Sequence, residues 1–100
     1  MKKYELMFIV KPTLSEEEIK KVAESFKKTL ELNGSKVTST DEWGQKALAY
    51  DMKKGSETYK SGYYFVYEVE AEDEKGVKEF DRLARISSDI IRCLITRKED

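Results

Sequence analysis

The alternation in Phe65-Val66-Tyr67-Glu68-Val69-Glu70 constrains this chain more than any other feature. Successive side chains of a strand point to opposite faces, so Glu68 and Glu70 share one face while Phe65, Tyr67 and Val69 share the other. Burying two carboxylates would cost several kcal/mol, so the glutamates face water and the aromatic set faces a core. A sheet covered on one face and open on the other follows. Antiparallel sheets tolerate that arrangement.

The same strand nearly spells the octapeptide with which RNA-recognition motifs stack bases, through Gly62-Tyr63-Tyr64-Phe65-Val66. The phase set by the glutamates sends Phe65 into the core, Ser61 stands where a basic residue is needed, and Tyr64 replaces a small one. The stretch therefore reads as a core strand and not as a stacking platform. Its outward residues, Tyr64 and Val66, should join Met7 and Ile9 in an apolar, partly aromatic patch of the kind that marks a protein partner.

The rest of the chain supplies the covering layer. Tyr4–Val10, closed by Pro12, reads as a buried strand. Ser15-Glu16-Glu17-Glu18 is a capping box, with Leu14 and Ile19 placed for a hydrophobic staple. Ile19, Val22, Ala23, Phe26 and Leu30 recur at helical spacing, and Asn33-Gly34 is a left-handed stop. Residues 36–52 read as a strand bent by a bulge at Gly44, just after Trp43. Residues 53–57 read as a turn and residues 59–71 as the return strand. Val77, Phe80, Leu83 and Ala84 predict a second helix, with Asp73 as its cap and Ser87-Ser88 as its exit. Residues 90–96 close the series as a strand, followed by a frayed end. The order βαββαβ predicts one α+β domain over residues 1–100. Its fold is ferredoxin-like, a four-stranded antiparallel sheet with both helices on one face.

Composition narrows the function. The chain has 100 residues, of which 39% are charged, and a net charge of −1. No apolar run approaches the ~18 residues of a membrane span, and no signal peptide precedes the first strand. Cys93, the one cysteine, cannot form an internal disulfide and sits in an apolar stretch, so it reads as a small buried hydrophobe of a reducing cytosol. Histidine is absent, Cys-x-x-Cys is absent, and no glycine-rich loop could cradle a phosphate. Glu16–Glu18 suits the dipole of a first helical turn and is not a catalytic pair. We expect neither catalysis nor a cofactor, metal or small-molecule substrate. The charge balance also falls short of the basic excess of proteins that bind nucleic acid alone.

Taken in order, Lys3-Tyr4-Glu5, Pro12, Asn33-Gly34, Asp41-Glu42-Trp43-Gly44 and Leu48-Ala49-Tyr50 resemble the bacterial small-subunit ribosomal protein six family. Phe80 through Arg85, Ser88-Asp89, Ile91-Arg92 and Ile95-x-Arg97 extend the resemblance to about residues 2–98. The chain departs from the family pattern at Gln45-Lys46-Ala47, where two basic residues are usual, at Asp51 in place of proline, and at Ser88 in place of asparagine.

The resemblance implies a structural constituent of the small ribosomal subunit, in the cytoplasm. Such a protein binds the central domain of small-subunit (16S) ribosomal RNA cooperatively with a small basic partner, ribosomal protein eighteen. A partner that brings the positive charge would account for the mild acidity. On this reading Lys2, Lys3, Arg85, Arg92 and Arg97 form one cationic rim for RNA phosphates, with Tyr4 available to pack on a sugar or base. Met7, Trp43, Lys46, Leu48 and Tyr64 are the expected partner surface. The alternative is a ferredoxin-like regulatory or dimerisation module that pairs through its open sheet and binds a small ligand.

Overall fold

The computed structural model describes residues 2–98, apart from the side chains of Ala49 and Tyr50. Six elements follow in the expected order: β1 (Lys2–Val10), α1 (Glu16–Leu32), β2 (Lys36–Lys54), β3 (Glu57–Ala71), α2 (Lys75–Ile86) and β4 (Ile90–Lys98). The strands form one sheet in the order β2-β3-β1-β4, every neighbour antiparallel. This is the split βαββαβ arrangement of the ferredoxin-like fold.

Local chemistry explains the element ends. The Ser15 hydroxyl accepts the Glu18 amide at 3.3 Å and donates to the Glu18 carboxylate, so the capping box closes on the hydroxyl itself. Three glutamates in the first turn favour the positive end of the helix dipole. At the other end the Asn33 side-chain amide donates to the Thr29 carbonyl at 2.8 Å, and Gly34 adopts φ +86°. The start of α2 differs from expectation. Glu74 occupies the cap position without a side-chain bond, while the Asp73 carboxylate accepts the Lys75 amide at 3.0 Å.

Two other boundaries move. The hairpin turn is only Gly55-Ser56, because Lys54 pairs with Glu57 and the positive φ of Gly55 lets two residues close it. β4 runs on through Arg97 and Lys98, which pair with Tyr4 and Lys3 of β1, so these residues are held in the sheet and do not fray. Glu99 and Asp100, also expected to fray, lie outside the described residues.

The core lies between the helices and one face of the sheet, with Leu6, Phe8 and Val10 fully buried. Phe8 is its hub. Its ring stacks on Phe65 at 5.1 Å and meets Phe26 at 5.3 Å and Tyr67 at 5.2 Å edge-on, with Phe80 tilted at 5.8 Å. Phe65, Tyr67 and Val69 are buried on the helix side, as the alternation demands. The helices contribute Ile19, Ala23, Phe26 and Leu30 from α1 and Val77, Phe80 and Ala84 from α2.

The buried Tyr67 hydroxyl donates to the Ala23 carbonyl at 2.9 Å, tying β3 to α1. Burial first, and then the charges of Glu42 and Glu24, push its phenol up to about 12 from an ordinary 10.0. The folded value exceeds the unfolded one, so this contribution to stability is complete below pH 10 and is lost as pH rises towards 12. Urea melts from neutral pH to about 12 should show Tyr67→Phe roughly 1 kcal/mol less stable at neutral pH. The variant should also lose less stability than the parent across the alkaline window. Parallel alkaline losses in the two proteins would contradict this reading.

Candidate nucleic-acid and partner interface

The strand register lays out the open face in rows. Leu94, Met7, Val66 and Asp41 form one row across β4, β1, β3 and β2, and Arg92, Ile9, Tyr64 and Gly44 form the next. A register shift falls between Glu42 and Gly44, where Gly44 takes φ +76°. This is the predicted bulge, and it leaves Trp43 outside the ladder. The half-exposed Trp43 ring lies nearly parallel to Tyr64, at 7° and 6.2 Å between centroids. The Lys46 ammonium stands 5.6 Å from the Trp43 ring centre, within cation–π range.

Three of the five expected partner residues are thus brought together, and Met7 lies one row away on the same face. Leu48 stands apart. It is half-buried in the part of β2 between Ala47 and Met52 where the pairing with β3 is irregular. The Tyr50 of the same motif lies outside the described side chains.

The apolar patch is smaller than expected. Met7, Ile9, Tyr64 and Val66 do share the open face, but Ile9 is only 2% exposed and Val66 only 6%. Gly62 is the reason for Ile9: a Cβ there would stand 2.4 Å from Ile9 Cγ2, so the missing side chain makes room for it. Among the described residues, the large apolar side chains exposed on this face are Trp43 and Leu94.

The cations do not form one rim. Lys3 pairs with Lys98, and Tyr4 with Arg97, at the start of β1, whereas Arg92 is opposite Ile9. Five residues of strand separate the two positions, roughly 17 Å at 3.4 Å per residue. Adjacent strands put these residues side by side, but antiparallel pairing sends the ends of β4 to opposite ends of β1. Lys2, Lys3 and Arg97 make one group. Arg85 and Arg92 make another, at the far end, and line a cavity of about 260 Å³.

The two ends differ electrostatically. At the first, Lys98 bridges Glu68 at 2.7 Å and Glu5 at 3.1 Å, and those bonds hold its ammonium above the usual lysine range. Lys3 also stands opposite Glu70. At the second, the Arg85 guanidinium donates through Nε to Asp81 at 2.9 Å, and its pKa is raised by that bond. The Lys54 ammonium crosses from the hairpin to the Arg85 carbonyl at 2.8 Å. No spacing or motif singles Lys54 out in the sequence, where it is one of two adjacent lysines in the predicted turn.

Two expectations fail on burial. Tyr4 is 4% exposed within the helix-side core and its hydroxyl is enclosed, so its ring offers no surface to a sugar or base. Cys93 is half-buried and not enclosed, with its Sγ 3.7 Å from an Asp81 carboxylate oxygen. Burial, and then Asp81, push the thiol up, so it stays protonated near neutral pH.

Among the described residues no helix is long and apolar enough to cross a membrane, and no cluster of three potential metal ligands occurs. The fold and its exposed side chains define a small ferredoxin-like interaction protein, with an aromatic–cation cluster on the open sheet and cations at both ends.

The comparisons narrow that class. The family model described as Ribosomal protein S6 matches residues 3–97, and the chain belongs to that family. The 1.70 Å crystal structure of 30S ribosomal protein S6 from Thermotoga maritima superposes with a TM-score of 0.88 at 28% identity. The match covers 97% of this chain and 87% of that one. Membership makes this a cytoplasmic protein of the small ribosomal subunit, in a family that is structural and not enzymatic.

Proposed function

We propose that the protein, acting as a single domain over residues 1–100, binds the central domain of small-subunit ribosomal RNA together with ribosomal protein eighteen. It would do so without catalysis, cofactor or small-molecule substrate. One observation carries the reading: a chain of net charge −1 presents a Trp43–Tyr64–Lys46 cluster on its open sheet face. Counterion release gives such a chain little RNA affinity by itself, and an exposed aromatic anchor is what a protein partner uses. Trp43, Lys46 and Tyr64, with Met7 beside them, form the partner surface. The RNA is met by Lys2, Lys3 and Arg97 at one end and by Arg85 and Arg92 at the other.

Filter binding at fixed salt tests the coupling. Adding ribosomal protein eighteen should tighten RNA binding at least tenfold, which is about 1.4 kcal/mol of coupling. Trp43→Ala should remove most of that gain. Equal RNA affinity with and without the partner would overturn the reading.

A further inference from the structure

Two features set the outer half of the β2–β3 hairpin apart from the rest of the sheet. Between the pairs Ala47–Ser61 and Met52–Tyr59, β2 advances five residues while β3 advances two, so three residues of β2 have no opposite. Such an excess interrupts the ladder and bends the ribbon, which makes a hinge. Beyond it the pairs Met52–Tyr59, Lys53–Thr58 and Lys54–Glu57 carry the hairpin to its turn. Lys53 and residues 55–58 are exposed, so little apolar burial holds this outer part in place.

A tie from the helix layer takes hold of it. The Lys54 ammonium donates to the Arg85 carbonyl at 2.8 Å. That carbonyl is among the last four of α2, which have no amide partner inside the helix. The Asp89 amide would reach it if the helix continued, but it is turned to the Ser87 hydroxyl at 3.2 Å. Arg85, the basic residue of the last turn, bends its own guanidinium back to Asp81. Lys54 therefore caps α2 from the hairpin and meets the negative end of the helix dipole.

The same contact brings the hairpin against a thiol. Lys54 shares a cavity of about 260 Å³ with Ala84 and Arg85 of α2 and with Ile90, Ile91 and Cys93 of β4. Burial and Asp81 push the Cys93 thiol up, and the charges of Arg85 and Lys54 work against them.

We propose that the outer hairpin, residues 51–60, is a strap that hinges at the irregular stretch of β2, closes by seating Lys54 on the carbonyl end of α2, and when closed limits access to the Cys93 thiol. The strap stands on the fold alone and is independent of the RNA-binding reading.

Two measurements on the free protein test it. Lys54→Met removes the donor at similar length, Lys54→Arg keeps one, and a thermal melt of each variant confirms that it folds. In Lys54→Met, hydrogen exchange should run about tenfold faster at the protected amides of residues 52–59 and in the last turn of α2, with Phe65–Val69 unchanged. Lys54→Arg should exchange like the parent. Unchanged rates in a folded Lys54→Met protein, or a uniform rise that includes Phe65–Val69, would overturn the strap. The second readout is the labelling rate of Cys93, the one cysteine of the chain, with uncharged N-ethylmaleimide. Loss of the lysine charge by itself lowers the thiolate fraction and slows this reaction. Opening of the strap acts in the other direction, so Lys54→Met should label several-fold faster than the parent. An equal or slower rate would mean that the hairpin does not gate the thiol, and would overturn the proposal. Lys54→Gln, with smaller rises expected in both readouts, replaces Lys54→Met if that variant does not fold.

Discussion

Phe8→Ala is expected to remove about 3–5 kcal/mol of stability, much of what a small domain possesses. Phe8 is fully buried and touches four aromatic rings drawn from α1, β3 and α2, so its loss leaves a cavity that no single element can close. Phe65→Ala should fall close behind, since Phe65 stacks on Phe8 from the neighbouring strand. Tyr64→Ala, one residue away, should cost only about 0.5–1.5 kcal/mol, the range of a favourable aromatic pair, because its ring meets Trp43 on the open face. Tyr64→Ala should instead weaken coupling to the protein partner. Urea midpoints for the three variants decide the matter. A Tyr64→Ala protein as unstable as Phe8→Ala would mean that the open face is a second core.

This contrast was legible in the sequence because two glutamates fix the phase of β3. Glu68 and Glu70 cannot be buried, and that one fact assigns Phe65, Tyr67 and Val69 to the helices. The ends of α1 were legible for a similar reason: Ser15 and Asn33-Gly34 satisfy terminal backbone groups through local chemistry alone. Long-range geometry was not legible. Lys2, Lys3, Arg92 and Arg97 lie on neighbouring strands, yet the register of β1 with β4 separates them along the sheet. Tyr4 is different: it alternates into the core with Leu6 and Phe8, a placement that already follows from the phase that turns Met7 and Ile9 outward. Lys54 reaches Arg85 because the β2–β3 hairpin runs on past Val10 and Tyr63, the last pair of β1 with β3, as far as Lys54 and Glu57.

Gly62→Ala should destabilise the protein by about 1–3 kcal/mol, the usual cost of forcing a methyl group into a packed site. On propensity alone the sign would be the opposite, since glycine weakens a strand interior and alanine restores a side chain. Here the new Cβ would lie 2.4 Å from Ile9 Cγ2, 3.2 Å from the Val10 carbonyl oxygen and 3.3 Å from Ile91 Cδ1. None of these neighbours can yield easily. Ile9 and Ile91 are buried, and the Val10 oxygen belongs to the backbone of a central strand. The glycine that nearly completes a nucleic-acid signature in the sequence therefore has a packing role: it lets Ile9 and Ile91 close over β3 on the open face. Ile9→Leu at the same site, which removes the β-branched Cγ2 methyl at nearly constant volume, should recover part of the lost stability if the clash is the cause. Paired urea melts of Gly62→Ala and of the double variant read this coupling directly. A neutral or stabilising Gly62→Ala would show that the open face has slack at Ile9, and that more of it is available to a partner than the burial of Ile9 allows.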